Sequence, residues 1–150
     1  AAVMNAEAIL GEVDFVSIGT NDLTQYTMAA DRLLGDLAHL NNPWQPAVLK
    51  MIKMTVEGAQ RASVTAGKKK YVSVCGEAAA DPALAVVLIG LGVDTLSMNA
   101  GAIPAVAAVL KSVTKEKAQQ IAAIALQQIS SAEAKESARK ALPILDELGL

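Results

Sequence analysis

Three polar residues that lie close together in the chain could bind an anion and a divalent cation. Asn21 and Asp22 follow shortly after the strand-like run VDFVSI (13–18), and Arg32 comes ten residues after Asp22. An asparagine amide can donate to a phosphate oxygen, and an aspartate is a hard oxygen ligand of the kind that Mg2+ prefers. An arginine fork can hold a phosphate or a carboxylate through two parallel hydrogen bonds. Together these residue types indicate an anion site that contains a divalent cation.

The same residues also have simpler interpretations. Asn-Asp after a strand is typical of a turn, and Asp22 could cap a helix that begins at Leu23. Arg32 could be the partner in a surface ion pair. His39 is the only histidine, and a single histidine in a loop more often has a structural role. Trp44 between asparagine and proline residues is more typical of a packing anchor than of a stacking platform. Residue types and spacing alone leave these alternatives open.

Two further strand-like runs also end on small or polar residues. Cys75, followed by Gly76 and Glu77, closes YVSVC (71–75), and VDTLSM (93–98) leads to Asn99. In α/β folds the reactive groups lie at the carboxyl ends of the strands, where the loops begin. A cysteine at such a position is also common as a small buried apolar residue. The three strand ends are therefore the candidate positions for chemistry.

The elements that must position these residues alternate between helix and strand. Helical patterns are expected over 1–10, from Leu23, from Pro46 and from the Asp81-Pro82 cap, and a capping box at Ser130 and Glu133 begins the last helix. Alternation of this kind indicates parallel strands joined by crossover helices. Three strands alone make a poor parallel sheet, and the first helix has no capping residue ahead of it. We therefore expect the later part of a larger α/β barrel or sheet.

Composition excludes several classes of function. The 150 residues are 53% hydrophobic and 19% charged, with a net charge of −2, which argues against a nucleic-acid or membrane-surface partner. No apolar stretch approaches the roughly 20 residues of a membrane-spanning helix, so we expect no membrane insertion. A single cysteine cannot form an internal disulfide, which favours a reducing, cytoplasmic setting. The only concentrated charge, residues 68–70, is interpreted as a solvated lysine loop.

Several longer phrases resemble those of a known family. VDFVSIGTNDLTQYTMAADR (13–32) closely resembles the second signature of the phosphoenolpyruvate (PEP)-utilising enzymes. HLNNPWQPAVLKMI (39–52), VCGEAAADP (74–82) and VDTLSMNAGAIP (93–104) are similar to further segments of the same family. The run YTMAADR (26–32) resembles the branch that contains Enzyme I of the bacterial phosphotransferase system, rather than the pyruvate phosphate dikinase branch. The resemblance covers roughly residues 1–115.

The resemblance implies both a fold and an activity. The fold is an α/β (β/α)8 TIM barrel, of which this chain would hold the last three βα units plus C-terminal helices. Residues 1–150 would be the C-terminal part of the PEP-binding domain, without the phosphohistidine domain and inactive alone. The activity would be transfer of phosphate from PEP to a histidine on a separate swivelling domain. From there the phosphate would pass to the histidine-containing phosphocarrier protein, for sugar uptake.

Roles for individual residues also follow from the resemblance. Asn21 and Asp22 would contact the phosphate, Asp22 would bind Mg2+, and Arg32 would hold the substrate. Cys75 would be the general acid that protonates the enolate of pyruvate, and an ordinary thiol carries its proton at neutral pH. The family's barrel domain also implies a homodimer in the full-length enzyme.

The sequence departs from the family in three places. The second magnesium carboxylate would fall just ahead of residue 1. Asn99 stands where the family tends to have serine, and the loop over 61–70 looks a few residues longer than usual. Two alternatives therefore remain, a relative of pyruvate phosphate dikinase or PEP synthase, and a non-catalytic dimerisation module.

Overall fold

The computed structural model describes residues 1–31 and 35–150, which form a largely helical α/β structure around a short parallel sheet. The strands are β1 (Phe15–Gly19), β2 (Tyr71–Cys75) and β3 (Thr95–Ser97). The α-helices are α1 (Ala6–Glu12), α2 (Thr20–Met28), α3 (Pro46–Ala66), α4 (Glu77–Ala80), α5 (Pro82–Leu91), α6 (Ile103–Lys111), α7 (Lys115–Leu126), α8 (Ser131–Lys140) and α9 (Ile144–Glu147). Two 3-10 helices cover Gly35–Leu40 and Ala100–Ala102. Among the described helices, none combines the length and the apolar run that a bilayer crossing requires.

The sheet has the order β1-β2-β3, and both pairs of strands are parallel. Each strand is connected to the next through helices, as the alternation of patterns predicts. The pairing register sets Gly19 beside Cys75 and Cys75 beside Ser97. The carboxyl ends of all three strands therefore lie side by side at the same end of the sheet.

The two faces of the sheet differ sharply in burial. Val72 and Val74 are fully buried in the core, which the sheet shares mainly with α3, α5 and α7. Successive side chains of a strand point to opposite faces, so Tyr71, Ser73 and Cys75 lie on the other face. That face is open: Tyr71 is 48% exposed and Phe15, its partner on β1, is 62% exposed.

Helix α7 packs closely against α5 at a single glycine. A Cβ atom added at Gly90 would collide with the backbone carbonyl of Ala118, so no side chain fits between the two helices at this point. The contact holds the first turns of α7 against the end of α5, and so fixes where the side chains of those turns lie.

Several helices begin or end elsewhere than the sequence predicts. Helix α1 begins at Ala6 and not at residue 1, because residues before it form turns. Helix α2 begins at Thr20, so Asn21 and Asp22 belong to its first turn and Asp22 does not cap a helix starting at Leu23. The four-residue helix α4 is not predicted from the sequence.

The expected loop over 61–70 is largely helical. Helix α3 extends to Ala66 and ends at Gly67, whose φ of 64° is a left-handed conformation that glycine adopts readily. Lys70 is only 5% exposed, so the interpretation of residues 68–70 as a solvated loop is wrong for this lysine.

Two predicted helix caps are present. The Asp81 carboxylate accepts hydrogen bonds from the backbone N–H groups of Ala83 and Leu84, at 2.9 and 3.1 Å. The Ser130 hydroxyl accepts from the N–H of Glu133 at 3.2 Å. The Glu133 carboxylate accepts from Ile129 at 3.3 Å, one residue earlier than a standard capping box requires.

Candidate active site

The carboxyl ends of the three strands are held together by hydrogen bonds. The N–H of Gly76 donates to the carbonyl of Ser97 at 3.1 Å. The hydroxyl of Thr20, the first residue of α2, donates to the carbonyl of Cys75 at 3.5 Å. The start of α2 is therefore held against the end of β2, and the residue after β2 against the end of β3, which brings two of the predicted site segments together.

Cys75 lies on the open face of the sheet at the end of β2. Its side chain is partly exposed, and its Sγ donates to the carbonyl oxygen of Ile18 on β1 at 3.6 Å. This contact places the thiol at the same end of the sheet as the start of α2. Cys75 therefore lies beside Gly19 and Thr20, the residues that lead into the Asn21-Asp22 turn.

Asn21 and Asp22 are both exposed in the first turn of α2, but they border different recesses. Asn21 lines a pocket of about 400 Å3 together with Thr24 and Glu77. Asp22 lines an apolar recess of about 300 Å3 along β1, with Val16 among its walls. The first turn of a helix stabilises negative charge and presents free N–H groups. The free N–H groups of this turn can therefore bind an anion, and the Asp22 carboxylate lies on a different side of the turn from Asn21.

Arg32, the third member of the predicted anion site, lies outside the described residues. Helix α2 ends before it, at Met28, and Ala29 turns the chain with a φ of 50°. The described chain resumes in the 3-10 helix that starts at Gly35.

Buried polar atoms without partners occur beside the Asn21 pocket. Thr24 is 2% exposed, and its hydroxyl has no hydrogen-bond partner in the part of the chain that the structure describes. The same holds for both side-chain amide atoms of Asn41. Both residues line the pocket, and Glu77 enters it from α4. Sequence reasoning missed Thr24 and Asn41, because neither residue type nor spacing distinguishes them from ordinary surface residues.

Three other residues considered from the sequence have structural contacts. Trp44 is 2% exposed, and its indole N–H donates to the Asp81 carboxylate at 3.0 Å, which confirms the packing anchor. The ring of His39 is exposed and its Nδ1 lies 3.1 Å from the carbonyl of Asp36, one turn earlier. The Asn99 side chain accepts from the N–H of Ala102 at 3.0 Å and so caps the second 3-10 helix.

Asp22 is the candidate metal ligand. Within residues 1–31 and 35–150, no three His, Cys, Asp or Glu side chains come together as a metal site. Mg2+ does not require such a cluster, since it commonly takes one or two carboxylates plus substrate phosphates and water. The exposed carboxylate of Asp22 is chemically suited to that kind of coordination.

Comparison with known proteins agrees with the sequence resemblance. Residues 1–115 match the family described as PEP-utilising enzyme, PEP-binding domain. A phosphoenolpyruvate-protein phosphotransferase from Streptomyces coelicolor is 45% identical over 142 residues, which cover 95% of this chain and 24% of the relative. Proteins of the same name are 45% identical in Geobacillus stearothermophilus, over 81% of this chain and 20% of the relative, and 39% identical in Haemophilus influenzae, over 89% and 22%.

The chain spans about a quarter of the length of these relatives. The family match covers all four predicted site residues, Asn21, Asp22, Arg32 and Cys75, together with strands β1 and β2. This chain therefore belongs to the family of PEP-utilising enzymes, and residues 1–115 fall within the family's PEP-binding domain.

Proposed function

We propose that this chain is the part of a PEP-protein phosphotransferase that binds PEP and protonates the enolate of pyruvate. One observation carries the proposal: the register of β1 and β2 sets Cys75 beside Gly19, directly before the first turn of α2 that holds Asn21 and Asp22. A proton donor and a phosphate-binding turn thus share one end of one sheet. The relatives are named as protein phosphotransferases, which favours this activity over that of a dikinase.

The proposed parent fold is a (β/α)8 barrel in which β1, β2 and β3 are the sixth, seventh and eighth strands, with residues 1–150 as its C-terminal part. Parallel sheets normally have both faces covered and no bare edge. Here the face that carries Phe15, Tyr71 and Cys75 is open, and β1 pairs only with β2 among the described strands. Further strands of a barrel would cover this face and pair with that edge.

Substrate binding is assigned to the first turn of α2. The Asn21 amide and the free N–H groups of this turn would donate to the phosphate of PEP. Asp22 would hold Mg2+ with one carboxylate oxygen, and Arg32 would hold the substrate's negative charge. When bound, Mg2+ would neutralise part of the negative charge of the phosphate.

Proton transfer is assigned to Cys75. As the phosphorus–oxygen bond of PEP breaks and a bond to a histidine nitrogen forms, the enolate of pyruvate is left. The thiol of Cys75 would give its proton to the terminal carbon of that enolate, which yields pyruvate and leaves a thiolate. Because the ketone is far more stable than the enolate, this proton transfer would drive the phosphate transfer forward.

The proposed partners lie outside this chain. The acceptor would be a histidine on a separate swivelling domain, and the phosphate would then pass to the histidine-containing phosphocarrier protein for sugar uptake. The full-length enzyme would act in the cytoplasm as a homodimer. Support for a protein acceptor comes from the names of the relatives, which specify protein phosphotransfer.

The test is PEP binding to the full-length protein that contains this chain, measured by calorimetry with and without Mg2+. We expect Asp22→Asn to weaken Mg2+-dependent PEP binding by about tenfold or more, because an ionic contact is removed. Asp36→Asn is the matched control, because it removes the same charge from the first 3-10 helix and not from the first turn of α2. Equal Mg2+ dependence in Asp22→Asn and wild type would show that the metal assignment is wrong. A folded dimer that does not bind PEP would favour the non-catalytic alternative.

A further inference from the structure

Thr20 is a buried residue that joins the two halves of the proposed site. It is the first residue of α2, directly before Asn21 and Asp22, and it is only 1% exposed. Its hydroxyl donates to the backbone carbonyl of Cys75 at 3.5 Å. Within residues 1–31 and 35–150, this is the one side-chain hydrogen bond between α2 and β2. The side chain of Thr20 therefore faces the end of β2 and not the solvent.

The peptide unit that follows Cys75 is held from both sides. Its carbonyl accepts from Thr20, and its N–H, that of Gly76, donates to the carbonyl of Ser97 on β3 at 3.1 Å. Gly76 has a φ of 92° and a ψ of −155°, a combination that is essentially restricted to glycine. A Cβ atom there would meet no atom within 4 Å beyond its chain neighbours, so the glycine serves backbone conformation and not space. The chain thus leaves Cys75 in one fixed direction.

The thiol of Cys75 is fixed to β1 and only indirectly to α2. Its Sγ lies 3.6 Å from the carbonyl oxygen of Ile18, and the strand register sets Cys75 beside Gly19. After Gly19 the chain leaves the sheet and enters α2. The distance between the thiol and the first turn of α2 therefore depends on the contact that Thr20 makes with the Cys75 carbonyl.

The proposed proton transfer requires that this distance be set accurately. The first turn of α2 would hold the phosphate of PEP while the thiol of Cys75 reaches the terminal carbon. PEP is a small molecule, so both contacts have to be made across one short span. A reacting group that is misplaced by about 1 Å can cost a factor of 10² in rate. A contact that fixes the span can thus control the rate without touching the substrate.

We propose that Thr20 is a positioning residue for proton transfer, which holds the phosphate-binding turn and the Cys75 thiol at their working separation. The inference rests on the proposed function, because it concerns the step in which Cys75 gives its proton to the enolate. At 3.5 Å the contact is long for a hydroxyl donor. Hydrogen bonds of active sites commonly shorten when the substrate binds. Shortening of this one would draw the turn of α2 and the end of β2 together around PEP.

The test is steady-state kinetics of pyruvate formation from PEP by the full-length protein, in H2O and in D2O. Thr20→Val has a similar shape but lacks the hydroxyl. We expect it to lower kcat about tenfold or more and to change the KM for PEP less than about twofold, because positioning and not substrate binding is lost. The solvent isotope effect on kcat should rise, because a misplaced donor makes proton transfer more rate-limiting. A purely structural role of Thr20 would leave that isotope effect unchanged.

Two variants are the matched controls. Thr20→Ser keeps the hydroxyl and should retain kcat within a few-fold of wild type. Thr55→Val removes another buried threonine hydroxyl, which donates to the carbonyl of Met51 within α3 at 3.0 Å, and it should leave kcat and the isotope effect unchanged. Cys75→Ala is measured in parallel to test the proposed function itself. Thermal unfolding verifies that each variant is folded at the assay temperature.

The outcomes that overturn the inference are distinct. A wild-type kcat and isotope effect in Thr20→Val, with a lowered rate in Cys75→Ala, would reject the role of Thr20 and leave the proposed function intact. A wild-type rate in Cys75→Ala would reject both.

The control variants define the remaining contrary results. Equal loss in Thr20→Ser and Thr20→Val would assign the effect to side-chain size and not to the hydroxyl. Equal loss in Thr55→Val and Thr20→Val would assign it to general destabilisation. A raised KM at unchanged kcat in Thr20→Val would mean that Thr20 supports substrate binding and not proton transfer.

Discussion

The two ends of the parallel sheet are built in opposite ways. At the carboxyl end the strands finish in small residues, Gly19, Cys75 and Ser97, and the buried hydroxyl of Thr24 has no partner among the described residues. At the amino end the charges are paired, with Lys68 on Asp14 and Lys69 on Asp94 at 2.6 and 2.5 Å. One end leaves polar groups unsatisfied, and the other satisfies nearly all of them.

This difference indicates that the carboxyl end of the sheet serves ligand binding, whereas the amino end stabilises the fold. An unsatisfied buried polar group costs folding free energy, so it is expected where a ligand later supplies the missing contact. Paired charges at the amino end tie the starts of β2 and β3 to their neighbours instead. Substitutions at the carboxyl end should therefore change activity more than stability, and substitutions at the amino end should do the reverse.

The largest expected effect is on activity at the carboxyl end. Cys75→Ala should lower the rate of pyruvate formation from PEP by about 100-fold or more, because loss of a general acid typically costs a factor of 10² to 10⁴. The melting temperature should hardly change, because the thiol is partly exposed and its single hydrogen bond, to the carbonyl of Ile18, is long. Pyruvate release by the full-length protein and thermal unfolding measure the two quantities.

Ser73→Ala is the matched control for Cys75→Ala. Ser73 lies on the same strand and the same face, two residues before Cys75, in a row with Ser17 and Thr95. It is further from the strand ends, so its removal should leave the rate within a few-fold of wild type. Equal activity of Cys75→Ala and Ser73→Ala would remove Cys75 from the proposed mechanism.

The second-largest expected effect is a loss of unfolding free energy on substitution at the amino end of the sheet. The Ser63 hydroxyl accepts from the N–H of Lys70 at 2.8 Å and donates to the carbonyl of Ala59 at 2.6 Å. Ser63→Ala would leave the Lys70 N–H without its partner at a partly buried position, which costs about 1–2 kcal/mol. Urea unfolding should show this loss, with no change in pyruvate formation.

Thr65→Ala is the matched control, because Thr65 lies on the same helix, α3, but its hydroxyl does not accept from the Lys70 N–H. The Thr65 hydroxyl only donates to the carbonyl of Arg61, at 3.2 Å, on the exposed side of α3. Its removal should change the unfolding free energy by less than about 0.5 kcal/mol. If Ser63→Ala were as stable as Thr65→Ala, the amino end would not be the stabilising region that the comparison requires.

Sequence patterns predict the parts of the fold that depend on local chemistry. The strand 71–75, the start of α3 at Pro46 and the Asp81 cap follow from apolar runs and capping residues, and they are present as predicted. The start of α2 is different, because Gly19 precedes it without a side-chain cap. Its boundary depends on tertiary contacts such as the one between Thr20 and Cys75.

The candidate site is predictable only in part for the same reason. Asn21, Asp22 and Cys75 could be named because strand ends are visible in the sequence. That Asn21 and Asp22 border separate recesses depends on the direction of α2, which no local pattern specifies. The burial of Lys70 was missed because three consecutive lysines normally indicate a solvated loop, whereas the carbonyl of Val13, 57 residues away, holds this one inside.

The smallest expected effect concerns an exposed ion pair at the amino end. The hydrogen bond and the charge of Lys68, with a further contribution from Lys70, hold the pKa of Asp14 below its ordinary value of 3.8. A carboxylate with a lowered pKa stabilises the fold above its unfolded pKa, and the contribution disappears as the pH falls through the folded value. Asp14→Asn should therefore be slightly less stable than wild type at pH 5–7, and the two should converge below about pH 3.

The pair is exposed, so the difference should be close to the error of a urea midpoint and should vanish at about 1 M NaCl, where screening is strong. Lys68→Gln should lose most of what Asp14→Asn loses at neutral pH, since Lys70 makes the smaller contribution, and the double variant should lose no more than Asp14→Asn alone. A difference that persists in high salt or grows below pH 3 would mean that Asp14 acts through packing. In that case, the amino end would owe its stability to buried contacts such as those of Ser63 and Lys70, and not to its surface ion pairs.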